Sequence, residues 1–311
     1  MMSVSSRSPI RSIASTTLPD LGVDVLDVPG AGASGGLGAA LIAFLGARLS
    51  SGAEVIGEAV RIHAPLTHVP YHERIDQGFV GTPFIFNGYE QNSQWLDPKV
   101  PLRQVDADAD QSVIQVSSLE GYGAPIIDLG HWFVGSRYAQ VVGTMRNFVP
   151  ERMVRATGRT MRMNIDDGDI FIGEFENGAI GSVQTSFVTV GNYPGLEARV
   201  YGSEGALICR LVEEFGVCES LKAAKPDAVE FRELEVPARL YPRGGSARES
   251  WRTLFYANLV SSFISEVLSD APDNEGNFFD GARVQETVNA VERSFRERRW
   301  VSLPLEQGVR P

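Results

Sequence analysis

The chain has 311 residues, of which 43% are hydrophobic, 9% aromatic and 22% charged. That excludes a disordered, collagen-like or coiled-coil protein and leaves length for one large or two ordinary domains. Its 28 Lys and Arg stand against 39 Asp and Glu, a net charge of -11, which repels phosphate backbones and anionic lipid, so the expected partner is a small molecule rather than nucleic acid or a membrane.

Residues 1–20 are rich in Ser and Arg without sustained periodicity and are expected to be an unstructured lead-in. A short strand follows in VDVLDV. Next comes the loop PGAGASGGLG and a helix over LGAALIAFLGARL, ended by Ser50, Ser51 and Gly52. The longest apolar stretch, Leu37 to Leu45, is about half of the roughly 20 residues a membrane crossing needs. Pro65 and Pro70 lie where periodicity is lost, which places a domain boundary there, with 1–62 a loosely attached segment and 63–311 the main body.

Past Gly78 the pattern is mostly of strands: TPFIFNGYEQ, AQVVGTMRNFV, DIFIGEFENGAIGSVQTSFVTV, LEARVYGSEGALICRLV and VEFRELEVP. Asn177-Gly178 predicts a hairpin with a type I′ turn, which needs two positive φ angles. Two amphipathic helices are predicted at the end, over Glu249–Leu268 and over Gly281–Arg298, the second with Val284, Val288, Val291 and Phe295 on one stripe. Strands gathered first and helices last predict an α+β fold, a largely antiparallel sheet with helices on one face. A sheet covered on one side only has a second face to hide, so a homo-oligomer built through that face is expected.

Gly30, Gly32 and Gly35 match GxGxxG between a strand and a helix, where a pyrophosphate could approach backbone N–H groups. Glu54, however, stands at the wrong end of the next run to hold a ribose, and too few strand–helix units follow before His63. The run VDVLDVPGAGASGGLGAALIAFLGARLSSGAEVIGEAV instead resembles the two-domain bacterial glycerate kinases over residues 20 to 60. A lysine, acids and an ITGEG-like segment of such kinases are not found downstream, so the resemblance implies ancestry of this piece rather than phosphoryl transfer. The plain alternative for the three glycines is a tight turn with close helix packing.

From about 75 to 304 the sequence resembles the carboxy-terminal domain of the Gfo/Idh/MocA family. The segments that carry this are RIDQGFVGTPFIFNGYEQN, GAPIIDLGHWFVG, FENGAIGSV, YGSEGAL and FFDGARVQETVNAVERSFRERRWVSLP. The resemblance implies a substrate domain of an NAD(P)-dependent oxidoreductase of sugars, polyols or related alcohols, built on a broad sheet that often mediates oligomerisation. Of the family's Rossmann half, neither the "vGiiGcG" opening nor the "EKPl" motif with its catalytic lysine is found, so a complete Rossmann domain and a nicotinamide site are not expected here.

The family places an aspartate and a histidine in D-x-x-x-H on one helix, one turn apart, to accept and orient a substrate hydroxyl proton. One register matches Asp128 and His131 to that pair with one residue missing. The other, anchored on residues 132–135, makes Asp128 a later family aspartate and puts Gly121 and Pro125 at the catalytic positions. The plain reading of His131 is a surface or core imidazole beside Trp132.

The remaining clusters have ordinary readings. His63, His68 and His72 sit among prolines without a completing ligand, so no metal site is expected. Asp106, Asp108 and Asp110 read as a solvated loop. Asp166-Asp167-Gly168-Asp169 precedes a strand and reads as a turn. Three functions stay open: an oxidoreductase substrate domain with Asp128 and His131 doing proton work, a non-catalytic sugar-binding or oligomerisation module, and a glycerate kinase remnant. The two cysteines, Cys209 and Cys218, lack CxxC spacing, and no charged-then-apolar leader precedes them, so a cytoplasmic setting is expected.

Overall fold

The computed structural model describes residues 15–18, 23–26, 78–102, 112–190, 195–212, 219–235 and 278–305. Strands β1 (Ser15–Leu18) and β2 (Val23–Leu26) pair with each other as an antiparallel ribbon, Leu18 opposite Val23. The VDVL strand is therefore present, but it pairs with residues expected to be an unstructured lead-in. The two Thr of STTL suit a strand, and Pro19, Asp20 and Gly22 between the strands are turn formers.

The main sheet is formed by β3 (Pro83–Gln91), β4 (Tyr138–Arg146), β7 (Gly168–Phe175), β8 (Ile180–Ser186), β9 (Gly195–Gly202), β10 (Ala206–Val212), β11 (Glu219–Ala224), β12 (Arg232–Leu234) and β13 (Val301–Ser302). Among the described residues it has nine strands in the order β12-β11-β10-β9-β3-β8-β7-β4-β13. Only β3 and β8 run parallel, with Ile85 opposite Ile180; the other pairs are antiparallel. A small ribbon, β5 (Glu151–Met153) with β6 (Thr160–Arg162), stands apart.

The strands alternate as a half-covered sheet requires: along β7, Asp169, Phe171, Gly173 and Phe175 are buried while Ile170, Ile172 and Glu174 are exposed. The hairpin from β7 to β8 is where Asn177-Gly178 placed it, but its turn is of another type. Gly178 has φ 88°, Asn177 has no positive φ, and Gly178 N–H donates to Phe175 O while Phe175 N–H donates to Ala179 O. That is a type I turn followed by a left-handed glycine, which adds the twist a type I turn lacks. The Asn177 side chain bonds the Ala179 N–H instead of taking a positive φ.

Among the described residues two helices cover one face. α1 (Ala124–Val134), entered through a π-helical turn at Leu119–Gly123, lies over β3, β8 and β9; α2 (Phe278–Glu297) lies over β4 and β13. Ile126, Gly130 and Phe133 form the sheet-facing stripe of α1. Gly88 is bare where Ile126 descends, Gly130 sits against the Phe86 ring, and Phe133 meets Phe86 edge-on at 6.5 Å. α2 buries Val284, Val288 and Val291, the residues its spacing nominated, and leaves Phe295 half-buried beneath Arg298. Gly135, with φ 64°, ends α1 in the left-handed cap that glycine favours.

Between His131 of α1 and the sheet lies the ring of Tyr138. It stacks on Phe175 at 4.1 Å and covers Gly173 and Gly181, where a methyl would strike it. The antiparallel sheet with helices on one face is thus the architecture the strand and helix pattern predicted. The helix expected over Glu249–Leu268 and the one over Leu37–Leu49 lie outside the described residues.

Candidate functional site

The amino end of α1 sits where β3 and β8 end, beyond the carboxyl ends of the parallel pair. A buried polar hub holds it there. Asp166 accepts the N–H groups of Ser117, Ser118 (3.1 Å) and Leu119 (2.9 Å), capping the π turn that leads into α1. Asp167 accepts from Phe148 N–H (2.7 Å), Val149 N–H (2.9 Å) and Arg152 Nη2 (2.7 Å), and Arg152 Nη1 donates to Trp95 O. Arg152 and Asp167 are both fully buried, and the guanidinium lies 5.3 Å from the Phe187 ring centre.

Asp169 completes the hub. Thr185 Oγ1 donates to its Oδ2 at 3.1 Å, and Ser118 Oγ donates to Thr185. Burial raises the carboxyls of both Asp166 and Asp169, and the charge of Asp166 raises Asp169 further; the three backbone donors hold Asp166 down. Burial beside the charge of Asp166 therefore favours the protonated form of Asp169. The sequence reading of a turn at Asp166–Asp169 is thereby corrected. Capping aspartates and turn aspartates share a composition, and the groups these ones serve lie far off in the chain, at Ser117–Leu119, Phe148 and Arg152.

Asp128 and His131 are brought onto one helix. Every residue from Gly123 to Gly130 is buried, so the first two turns of α1 have no solvent face. Asp128 is 4% exposed and, with Pro125 and Trp132, lies by helical periodicity on the stripe turned away from the sheet-facing residues Ile126, Gly130 and Phe133. His131 is rotated toward α2 and packs against Tyr138, ring centres 5.5 Å apart. Burial first, then the positive charge of Arg137, lowers its pKa to about 4; Asp280 works against this and Arg283 with it. The imidazole is neutral at pH 7, and its Nε2 is enclosed without a hydrogen-bond partner. The two registers of the D-x-x-x-H comparison thus differ in what the outward stripe offers, a carboxylate at Asp128 or the bare ring of Pro125. His131, three residues on from Asp128, neighbours it on the helix surface.

The sequence reading missed the aromatic group beside this helix end. Tyr122, in the π turn, donates to Gln94 Oε1 at 2.8 Å, and Trp95, Tyr122 and Phe187 meet with ring centres 5.4 to 6.5 Å apart. The chain's strand pattern marked Phe187, but nothing local joined it to Trp95.

Gly30, Gly32 and Gly35, His63, His68 and His72, and Asp106, Asp108 and Asp110 lie outside the described residues. Among the described residues no group of three or more His, Cys, Asp and Glu could hold a metal ion, and no helix is long and apolar enough to cross a membrane. A dinucleotide needs unspent N–H groups at a helix start. At the start of α1 the N–H groups of Ser117, Ser118 and Leu119 are spent on Asp166, whose charge opposes a phosphate. These residues do not fit a nicotinamide dinucleotide.

Comparison with known proteins finds two different matches along the chain. Residues 70–208 match the GFO/IDH/MocA C-terminal domain and residues 5–71 the glycerate kinase family. Glycerate 2-kinase of Escherichia coli is 64% identical over 42 residues, 14% of this chain and 11% of that protein. Levoglucosan dehydrogenase of Pseudarthrobacter phenanthrenivorans is 23% identical over 250 residues, 74% of this chain and 62% of that protein. A structure of levoglucosan dehydrogenase in complex with NADH and levoglucosan has the same fold, with a TM-score of 0.63 at 19% identity over 79% of this chain and 65% of that one. An oxidoreductase domain protein from Kribbella flavida gives a TM-score of 0.66 at 22% identity, covering 86% of this chain and 71% of that one. The chain therefore spans about a tenth of the kinase and less than two thirds of the dehydrogenase. Over residues 70–208 the chain is similar to a GFO/IDH/MocA C-terminal domain, and over residues 5–71 to the glycerate kinase family.

Proposed function

We propose that this chain binds a sugar, polyol or related alcohol at the outward stripe of α1, as the substrate domain of a Gfo/Idh/MocA-type oxidoreductase without a nicotinamide site of its own. The observation that carries the reading is Asp128, a carboxylate 4% exposed that helical periodicity places on the side of α1 away from its sheet-facing residues. A carboxylate there accepts a hydrogen bond from a ligand hydroxyl and can take its proton. His131, neutral and pressed between Tyr138 and α2, orients the helix face rather than acting as the base, since a group with a pKa near 4 holds a proton poorly at pH 7. The levoglucosan dehydrogenase relative supports an anhydrosugar or sugar as the ligand class.

A second reading, a sugar-binding or oligomerisation module without chemistry, is supported by the N–H groups of Ser117, Ser118 and Leu119 being spent on Asp166. We further propose that residues 1–62 form a separate, loosely attached segment, that copies associate through the open sheet face, and that the setting is cytoplasmic. The glycerate kinase remnant remains a reading of residues 5–71 alone.

Calorimetric titration of the whole chain with levoglucosan, glucose and myo-inositol tests the reading. The expected result is saturable heat with at least one of them, weakened tenfold or more in Asp128→Asn, alongside no saturable NADH fluorescence change in the micromolar range. No heat with any of the three overturns it. Micromolar NADH binding overturns the missing nicotinamide site and returns Gly30, Gly32 and Gly35 to consideration.

A further inference from the structure

A cleft lies beside the π turn, which contributes Glu120 to its lining. It has a volume of about 420 Å³ and runs between the segment Val113–Val116 and one side of α2. Val113, Ile114, Val116 and Val288 give it apolar lining beside polar side chains. The strand segment is rigid: Gln115 N–H donates to Asn164 O, and Gln115 O accepts from Asp166 N–H. The Gln115 side chain is not spent. Its Nε2 is enclosed and has no hydrogen-bond partner, a donor whose burial costs stability unless something accepts from it.

Opposite Gln115, α2 contributes Gln285, Asn289, Glu292 and Arg296 at helical spacing. Gln285 and Asn289 bond each other at 3.2 Å, and Arg296 is committed to Glu292 at 2.6 Å. Glu120, an exposed residue of the π turn, has no such cation among the described residues: partial burial of its carboxyl, then the negative charges of Asp166 and Glu292, raise it. The cleft therefore pairs an unanswered donor with an unanswered negative charge, beside apolar lining, in a space large enough for a molecule of one ring. Neither Asp128 nor His131 lines it.

We propose that this cleft is a binding site for a small hydroxylated organic cation, an amino alcohol or amino sugar, with Glu120 receiving the ammonium group and Gln115 Nε2 donating to a hydroxyl. The ammonium cancels the like-charge repulsion between Glu120 and Glu292, and the hydroxyl satisfies the enclosed amide. A neutral sugar of the same size supplies the second contact but not the first, and a simple amine supplies the first but not the second.

The test is calorimetric titration of the whole chain with glucosamine, N-acetylglucosamine and ethylamine at pH 7. Glucosamine is expected to bind at least tenfold more tightly than either of the others, and to lose fivefold or more in Glu120→Gln and in Gln115→Ala. Glu120 is exposed, so its variant is expected to unfold at the wild-type midpoint, which separates lost binding from lost fold. Asp128→Asn should leave glucosamine binding unchanged, so this site and the one on α1 fail independently. Equal affinity for glucosamine and N-acetylglucosamine, no saturable binding of glucosamine, or binding indifferent to both substitutions would each overturn the proposal.

Discussion

The two faces of the main sheet are made of similar residues in opposite circumstances. On the covered face Phe86, Val141, Phe171, Val183, Val200 and Leu207 are at most 1% exposed, while on the open face Ile85, Ile170, Ile172 and Ile180 are 40 to 51% exposed. Alternation along each strand produces both sets and does not distinguish them. What does is the placing of glycine: Gly88 and Gly143 are bare where Ile126 of α1 and Val291 of α2 reach the sheet. On the open face, polar pairs interrupt the isoleucines, Asn87 with Ser182 at 2.8 Å and Gln140 with Glu174 at 2.7 Å. That mixture suits an interface that forms and parts more than a permanent core.

The contrast is sharpest in truncation. Phe86→Ala on the covered face should lower unfolding free energy by about 3–5 kcal/mol, whereas Ile172→Ala on the open face should cost under about 1 kcal/mol in a monomer. Urea denaturation of both variants reads this, and similar losses would mean that the open face is packed as tightly as the covered one.

The hub at the end of the sheet breaks the rule that the covered face is apolar. Arg152→Met should cost about 3–5 kcal/mol, because the Asp167 carboxylate would stay buried with only its two backbone donors. A denaturation midpoint close to wild type would show the pair to be dispensable.

Introducing charge on the open face bears on its use. The double variant Ile170→Lys, Ile172→Lys should dissociate an assembly built through that face while the unfolding midpoint of the monomer stays near wild type. Sedimentation velocity at tens of micromolar decides, and an unchanged sedimentation coefficient would remove this face as the contact.

Asp169 gives a smaller effect with a definite sign. Its folded-state pKa is raised, so the protonated form is favoured by folding, and stability falls as pH rises from the ordinary carboxylate value through the raised one. Asp169→Asn, which keeps a donor toward Asp166 without a proton to lose, should be as stable as wild type at pH 4 and more stable at pH 7. Thermal unfolding across that range checks it, and a less stable variant at pH 7 would refute the raised Asp169 carboxyl. Smallest of all, Tyr138→Phe should raise stability slightly, since the enclosed hydroxyl has no hydrogen-bond partner.

Much of the fold was legible because β3, β7, β8, β9 and β10 are long and alternate cleanly, and because Val284, Val288 and Val291 mark the buried stripe of α2. β5, β6 and β11 were not, since a strand of three residues such as Glu151–Met153, or a mixed one such as Glu219–Ala224, carries too few alternations to stand out. Of the candidate site, the helix bearing Asp128 and His131 could be read from GAPIIDLGHWFVG. The hub could not, because Asp166 serves Ser117–Leu119 and Arg152 reaches Trp95, contacts that exist only once distant segments meet.

The slab formed by Tyr138 has a consequence for distance between layers. Its ring fits because Gly173 and Gly181, on neighbouring strands, present no side chain beneath it, and His131 rests against its other side. The height of the carboxyl end of α1 above the sheet is therefore set by atoms that are missing. A single methyl at Gly181, where Tyr138 Oη would lie 2.7 Å from it, would lift the ring and tilt the helix above it, so a change in an unremarkable strand would be felt as a change in the angle at which Asp128 is held.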